Sequence, residues 1–459
     1  MTSERQLHLH PVAAVAEAFG GLRDLAVPLV IGVVAGGRGS SLSAIGLGVL
    51  GVAAAAVLGI ARWRSTRYAV DDRALYFRAG IFSPDETVVP LDRIQSVDTV
   101  AGPIQRVFGV TGLQVQTAGG GEDAEVVLSA LSAGAARELR AALRHPDTGA
   151  SSAGRRLGGA GLLATALTAP QVGVVLPVVG GVFGALQNGL AGESVAVVRS
   201  VNSVHEVVLV VLGLLGCAWA LSTLGAIVAF AGFEVHPVEG RLRIRRGLLQ
   251  RRAVSVPVNR IDGVQIVESL LRRPFGLVTL RLEITSLGGS ETAERTLFPL
   301  LRRDLVAAFL EDFVPELAGP LALQERPPRR ARRRFLTRPL LAAAGAGAAL
   351  VVALPAAWPA APVLLAVAAV AGLDAYAAAG VRIDATRVVV RGRHGAARVT
   401  LVARRGRVQR LAVSRSPLQR RAGLASFSVT VARGTRIAIR HLERAHAAAL
   451  LGRLAPPQA

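Results

Sequence analysis

The stretch Val89-Pro-Leu-Asp-Arg93-Ile-Gln-Ser-Val97, followed by Ile104-Gln-Arg106-Val-Phe108-Gly109, decides the fold because the chain repeats it. The second copy reads Val256-Pro-Val-Asn-Arg260-Ile-Asp-Gly-Val264 and then Leu271-Arg-Arg273-Pro-Phe275-Gly276. In both copies 13 residues separate the two arginines, and 16 separate the first arginine from the last glycine. A weaker third copy keeps this spacing at Arg407, Arg420 and Gly423. Spacing that survives through loops predicts one structural unit used three times.

Two long apolar segments precede each copy. The chain has 459 residues, a mean hydropathy of +0.46 and only 18% charged residues, which is too apolar for a soluble protein of this size. A helix that crosses a bilayer needs about 20 mainly apolar residues. We therefore predict six transmembrane helices in three pairs, at Leu25–Gly37 with an extension back to Pro11, Leu42–Ala61, Leu157–Leu186, Val204–Phe233, Pro339–Leu354 and Ala357–Ala379.

The positive charge of the chain lies beside these apolar segments. The formal net charge of +22 comes from arginine alone, and arginines cluster at Arg62–Arg67, Arg155–Arg156 and Arg329–Arg338. Because basic residues near membrane spans face the cytoplasm, both termini and all three repeats are predicted to be cytoplasmic. The same placement favours anionic lipid over nucleic acid as the reason for the high pI.

Within each repeat, short segments alternate polar and apolar residues, as in Arg73–Arg78 and Thr279–Ile284, between turns that contain glycine or proline. A stretch with helical spacing closes each repeat, at Ser132–Leu143, Arg302–Phe313 and Leu442–Leu454. Several short strands and one C-terminal helix predict a small α+β domain, a β-sandwich or barrel closed by a helix. The predicted organisation is a membrane hairpin over residues 11–62, 157–233 and 338–379, followed each time by such a domain, over residues 67–145, 233–316 and, in degenerate form, 381–455.

This pattern resembles the bacterial pleckstrin-homology-like (bPH2) membrane proteins, a family once catalogued as a domain of unknown function. The Val-Pro step before Arg93 and Arg260 and the Arg-x-Phe-Gly turn carry the resemblance, and the third copy lacks the Val-Pro step. The whole chain is similar to the large, multi-copy (YdbT-like) members. The resemblance implies a pleckstrin-homology-like (PH-like) fold, location in the bacterial inner membrane and no established enzymatic activity. It also implies a smaller PH-like membrane protein as partner, with a homo-oligomer equally compatible.

Arginines around the first hairpin of each domain are the candidates for binding membrane phospholipid, because PH-like domains commonly bind headgroups there. In the second repeat the candidates surround Gly247 with no acid between them, and the third repeat has a similar cluster. The candidates are Arg243, Arg245, Arg246, Arg251 and Arg252 in the second repeat and Arg391, Arg393 and Arg398 in the third. The first repeat carries Asp85 and Glu86 at this turn, so we expect no anion there. A solvated basic face beneath a membrane would explain the same arginines without a specific ligand.

The residues of the repeated motif have two interpretations. In the structural one, the arginines bridge carbonyls and carboxylates where loops cross, and the phenylalanines close the edge of the sandwich. In the functional one, the arginines bind phosphate; retention from repeat to repeat favours the structural role. The motif residues are Arg93, Arg106, Phe108, Gly109, Arg260, Arg273, Phe275, Gly276, Arg407, Arg420 and Gly423.

The sequence gives no support to catalysis. Its histidines are scattered, Cys217 is its single cysteine, and no nucleophile elbow is present, so we expect no enzyme, metal or cofactor. The expected function is a non-enzymatic membrane scaffold that binds lipid headgroups or a partner protein. The rival is a transporter or channel component in which the spans carry the function. Few ionisable residues lie in the predicted spans, but Asp374 in the sixth keeps the rival open.

Overall fold

The computed structural model describes residues 7–15, 18, 41–80, 85–117, 126–143, 154–168, 204–238, 240–248, 251–284, 295–353, 358–431 and 435–454. The predicted span at Leu25–Gly37 and most of the one at Leu157–Leu186 lie outside these residues. The chain divides into two compact units. The first comprises Met1–Arg156, Val228–Pro257 and Ser286–Glu291, and the second comprises Leu157–Ile227, Val258–Thr285 and Thr292–Ala459.

The elements of the described residues follow in chain order. The strands are β1 Leu7–His8, β2 Arg67–Val70, β3 Ala74–Ala79, β4 Asp85–Pro90, β5 Ile94–Ala101, β6 Val110–Thr117, β7 Val126–Ser132, β8 Arg155–Arg156, β9 Glu234–Val238, β10 Arg241–Arg246, β11 Arg251–Pro257, β12 Gly263–Glu268, β13 Leu277–Glu283, β14 Thr296–Arg302, β15 Gly380–Ile383, β16 Arg387–His394, β17 Ala397–Arg404, β18 Val408–Ser414, β19 Leu424–Val431 and β20 Thr435–Glu443. The α-helices are α1 Ser41–Ser65, α2 Pro103–Val107, α3 Ala133–Ala142, α4 Gly159–Leu167, α5 Val204–Phe230, α6 Val306–Phe313, α7 Arg332–Ala353, α8 Ala360–Ala378, α9 Pro417–Arg421 and α10 Arg444–Leu454. Short 3-10 turns include Leu91–Arg93, Val258–Arg260, Arg273–Phe275 and Arg405–Arg407.

The first unit contains two antiparallel sheets. One has the strand order β1-β2-β3-β4, and the other has the order β7-β6-β5-β11-β10-β9-β8. The larger sheet therefore joins the second half of the first repeat to the first half of the second repeat. Leu75, Leu113 and Leu128 are fully buried in the core of this unit, against which α3 packs through Leu139. The closing helix predicted at Ser132–Leu143 is confirmed, with Ser132 as its N-cap and Leu143 as its C-cap.

The second unit repeats the arrangement one step further along the chain. Its six-stranded sheet has the order β14-β13-β12-β17-β16-β15, and its three-stranded sheet has the order β18-β19-β20. Here the second half of the second repeat pairs with the first half of the third repeat. Phe427 lies fully buried at the centre of this core, with Val390, Leu401 and Leu450 of α10 among its neighbours in the cluster. The alternating segments therefore form PH-like β domains, as predicted.

The two joints between repeats have the same register. The positions are counted from the first arginine of each motif copy, which is Arg93, Arg260 or Arg407. In each joint, the residues six to eight positions after this arginine in one repeat pair with the residues seven to nine positions before it in the next repeat. The pairs are Thr99–Ala253, Val100–Arg252 and Ala101–Arg251 between β5 and β11, and Ile266–Thr400, Val267–Val399 and Glu268–Arg398 between β12 and β17. The repeats are thus joined in one fixed register. The sequence of a single repeat does not predict this joint.

The glycine of the repeated motif has one conformation in all three copies. Gly109, Gly276 and Gly423 have φ angles of 65°, 61° and 65°, in the left-handed region that favours glycine. In each copy the glycine N–H donates to the carbonyl of the second motif arginine, at 3.2, 3.1 and 3.2 Å. The degenerate third repeat therefore retains this turn although its sequence has diverged.

The prediction of six transmembrane helices in three pairs is wrong. Within the described residues, two helices are long and apolar enough to cross a membrane, Arg329–Val352 and Ala360–Ala378. The predicted third span begins with α4, a helix of 9 residues that ends at Leu167 and packs beside β14. Apolar composition alone does not set how far a helix continues in a chain this rich in alanine and glycine.

The predicted third pair does form a helical hairpin. Helices α7 and α8 pack against each other, and Gly372 marks their closest approach. A Cβ atom at Gly372 would lie 2.8 Å from the carbonyl oxygen of Phe335 and 3.1 Å from the Cα atom of Leu336. A small residue is required there because it allows the two backbones to approach.

Candidate phosphate-binding site

The hairpin of β10 and β11 is fixed against the last residues of α5. The N–H of Gly247 donates to the carbonyl of Ala231 at 2.8 Å, and the N–H of Leu248 donates to that of Val228 at 2.8 Å. These bonds satisfy carbonyls that the helix end would otherwise leave unpaired. Gly247 has a φ of 101°, so the sharp turn depends on glycine. The basic hairpin is thereby held directly beside the end of an apolar helix.

Arginine side chains surround a cavity at this hairpin in the first unit. Its volume is about 710 Å³, within the range of small-molecule sites. All five arginines predicted from the second repeat line it, as do Arg106 of the repeated motif and one carboxylate, Glu234. The eight lining arginines are Arg106, Arg140, Arg156, Arg243, Arg245, Arg246, Arg251 and Arg252.

The charge balance of this cavity favours an anion. Its carboxylate is already engaged, because Glu234 accepts from Arg156 at 2.7 Å and lies 3.3 Å from His236. Arg246 and Arg252 face each other directly across β10 and β11, a like-charge pair that destabilises an antiparallel sheet. Arg246 is also buried, with 7% of its surface exposed. A bound anion would reduce the repulsion between Arg246 and Arg252.

Two of the lining arginines belong neither to the predicted cluster nor to the repeated motif. Arg140 lies on α3 and donates to the hydroxyl of Thr99 at 3.2 Å, and Arg156 lies on β8 beside β9. Sequence analysis used Arg156 only as a topology signal and did not single out Arg140. Arg140 approaches the β10–β11 hairpin through the joint between β5 and β11, and Arg156 approaches it through the pairing of β8 with β9. No local pattern encodes either pairing.

The motif arginines are distributed over two kinds of position. Arg93, Arg260 and Arg407 each end a 3-10 turn that follows a strand, and Arg407 lies 3.7 Å from Asp262. Arg106 donates to the carbonyl of Leu248 at the cavity. Arg420 lies exposed on α9.

The motif phenylalanines do not close a sandwich edge. Phe108 is 56% exposed and Phe275 is 70% exposed. That part of the structural interpretation is wrong, because rings this exposed are not packed into the edge of a core.

The arginine cluster of the third repeat is engaged within the second unit. Arg393 donates to the carbonyl of Ala371, and Arg398 donates to Asp374 at 2.9 Å. Arg391 donates to the hydroxyl of Thr400 at 2.8 Å, and its burial lowers its pKa to about 10. These three side chains serve as internal ties.

Asp374 of α8 lies at the centre of these ties. Arg273 donates two hydrogen bonds to its carboxylate, one of them 2.8 Å long, and Arg398 donates a third. Asp374 is four residues before the end of α8, about 6 Å along the helix. The acid that kept a transport role open is therefore bound by arginines of β17 and of the repeated turn.

The chain is similar to one protein family along most of its length. The family model described as "Bacterial PH domain" matches residues 20–147, 174–314 and 339–457. The UPF0699 transmembrane protein YdbT of Bacillus subtilis (strain 168) is 29% identical over 331 residues, which cover 65% of this chain and 66% of that protein. No solved structure matches the chain. Because the three family matches together cover most of the chain, the protein belongs to the bacterial PH domain family.

Proposed function

We propose that the arginine-lined cavity of the first unit binds the phosphate of an anionic phospholipid headgroup, and that the chain is a non-enzymatic membrane scaffold. One observation carries the proposal: eight arginines and a single, already paired carboxylate line one cavity at the end of an apolar helix. Guanidinium groups bind phosphate through charge-assisted hydrogen bonds. The transmembrane relative supports a membrane source for that phosphate.

The scaffold part of the proposal rests on how the repeats are joined. The described strands form continuous sheets across repeat boundaries, at β5–β11 and at β12–β17. An arrangement that already joins domains edge to edge suits assembly with a further domain of the same kind. We therefore propose a smaller PH-like membrane protein or a second copy of this chain as partner, with the PH-like domains on the cytoplasmic side of the inner membrane.

The test uses the complete chain in nanodiscs of phosphatidylcholine. An excised second repeat would lose the partners of both β11 and β12, so it is not a sound test. Calorimetry would measure binding of short-chain, water-soluble phosphatidic acid, with short-chain phosphatidylcholine and inorganic phosphate as parallel ligands, over a salt series. Specific recognition predicts that phosphatidic acid binds at physiological salt and that phosphatidylcholine does not.

A matched pair of variants decides whether the cavity is responsible. Arg245→Gln with Arg251→Gln removes two exposed arginines of the cavity, and Arg73→Gln with Arg78→Gln removes two exposed arginines elsewhere in the same unit. At about 1 kcal/mol for each arginine, the cavity variant should bind about tenfold or more weakly, and the control should bind as the parent does. Equal loss in both variants would mean a non-specific basic surface. No binding by the parent would refute headgroup recognition.

A further inference from the structure

The joints between repeats imply two docking positions at the ends of the series. In each joint, the first strand after the motif arginine of one repeat pairs with the strand before the motif arginine of the next. The corresponding strand that precedes Arg93 is β4, and the one that follows Arg407 is β18. Within the described residues both are edge strands of their sheets. They are the two halves of a joint that the described sheets leave incomplete.

We propose that β18 of one copy of this chain pairs antiparallel with β4 of a second copy, which extends the joint between repeats into a head-to-tail assembly. This inference names the partner of the proposed scaffold and rests on that part of the proposed function. Pairing of this kind is heterologous, so it generates an open series of subunits unless its rotation closes a ring. Edge strands are templates for such pairing because their N–H and C=O groups lack neighbours on one side.

The shared register of the two internal joints fixes the register of the third. Applying it places Leu411 opposite Val88, Val413 opposite Glu86 and Ser414 opposite Asp85. Val88 is 49% exposed although it is β-branched and apolar, and pairing would cover it with Leu411. Cross-strand apolar pairs of this kind stabilise a sheet.

Charge complementarity supports the same pairing. The outer part of β4 presents two exposed acids, Asp85 and Glu86. Arg415 is exposed just beyond β18, next to Ser414, which the register places opposite Asp85. Opposite charges at the ends of the paired strands favour the mixed pair over β4–β4 or β18–β18 pairing, which would place like charges together.

Disulfide crosslinking of the full chain in membranes tests the pairing. The background replaces the single cysteine with Cys217→Ala, and the test variant adds Val88→Cys and Leu411→Cys. Oxidation should produce a ladder of covalent dimers and higher species on a non-reducing gel. Each single-cysteine variant should remain monomeric, and a dimer from Val88→Cys alone would show β4–β4 pairing and overturn the proposal.

The register control is Val88→Cys with Ala412→Cys, because a shift of one residue moves a side chain to the other face of a sheet. Its ladder should be at least tenfold weaker, and an equal ladder would refute the register. Charge reversal by Asp85→Arg should weaken the ladder, and added Arg415→Glu should restore it. Absence of any ladder with intact phosphatidic acid binding would reject this inference alone, since none of these residues lines the cavity.

Discussion

Replacing Asp374 by asparagine should destabilise the second unit substantially. Arg273 and Asp374 have side chains that are 23% and 12% exposed, and Arg398 donates to the same carboxylate. Asp374→Asn keeps the shape of the side chain but removes the counter-ion of Arg273 and one of the two carboxylates beside Arg398. Removing one partner of a buried ion pair costs about 3–5 kcal/mol, and partial exposure reduces this to about 2–4 kcal/mol. For a unit of this size, the midpoint temperature of thermal unfolding should fall by about 4–8 °C.

The assay is thermal unfolding of the full chain in nanodiscs, followed by intrinsic fluorescence. Asp304→Asn is the matched control, because Asp304 also accepts two hydrogen bonds from one arginine, Arg302, at 3.1 and 2.8 Å. That pair is 59% and 70% exposed, and exposed pairs contribute about 0–1 kcal/mol. Equal midpoints for the two variants would refute the claim that Asp374 anchors β17 and the repeated turn to α8.

Three further substitutions test single features of the second unit by thermal unfolding. Gly276→Ala should cost about 1–2 kcal/mol because of the left-handed φ, whereas Gly406→Ala, which meets open space, should cost under about 0.5 kcal/mol; equal costs would contradict the strain. Burial and nearby arginines lower the pKa of His441 to about 4, so the unfolded chain binds more protons between about pH 6.5 and 4. Stability should therefore fall as pH drops through that window, and His441→Asn should flatten this dependence; an unchanged profile would argue against it. Arg272 is 4% exposed and donates hydrogen bonds to the end of α4 and to the carbonyl of Pro299. Arg272→Met should therefore lower the free energy of unfolding by about 2–4 kcal/mol, whereas Arg302→Met at an exposed position should lower it by under about 0.5 kcal/mol. Similar losses in the two variants would refute the internal role of Arg272.

Local signals predicted the repeated units well. The alternation of Arg241–Arg245 became β10, and the capping serine before the helical stretch at Ser132 is in place. Such features depend on neighbours in the chain, where periodicity and capping chemistry act directly. The strands that follow each motif arginine, β5, β12 and β18, were missed, because their turn-like polar residues gave no clear alternation.

The sequence predicted five of the arginines that line the candidate cavity but not the full set of lining residues. The five arginines around Gly247 could be selected from sequence because no acid interrupts them, and all five line the cavity. The arginines of the third repeat have the same local pattern but bind Asp374 and backbone carbonyls instead. Sequence could not separate the two clusters, because the difference lies in which distant acids and carbonyls come within hydrogen-bonding distance.

The sequence by itself determined that one PH-like unit occurs three times and where the apolar segments and the basic clusters fall. Repeats, hydropathy and charge are properties of segments and need no knowledge of distant contacts. Only the tertiary structure decided how many described helices are long enough to span a membrane, which arginines face a cavity, and that β5 and β12 join one repeat to the next. The set of arginines around the cavity and the joints between repeats depend on pairings between residues over 100 positions apart, such as Thr99 with Ala253. These pairings arise only when the folded strands align.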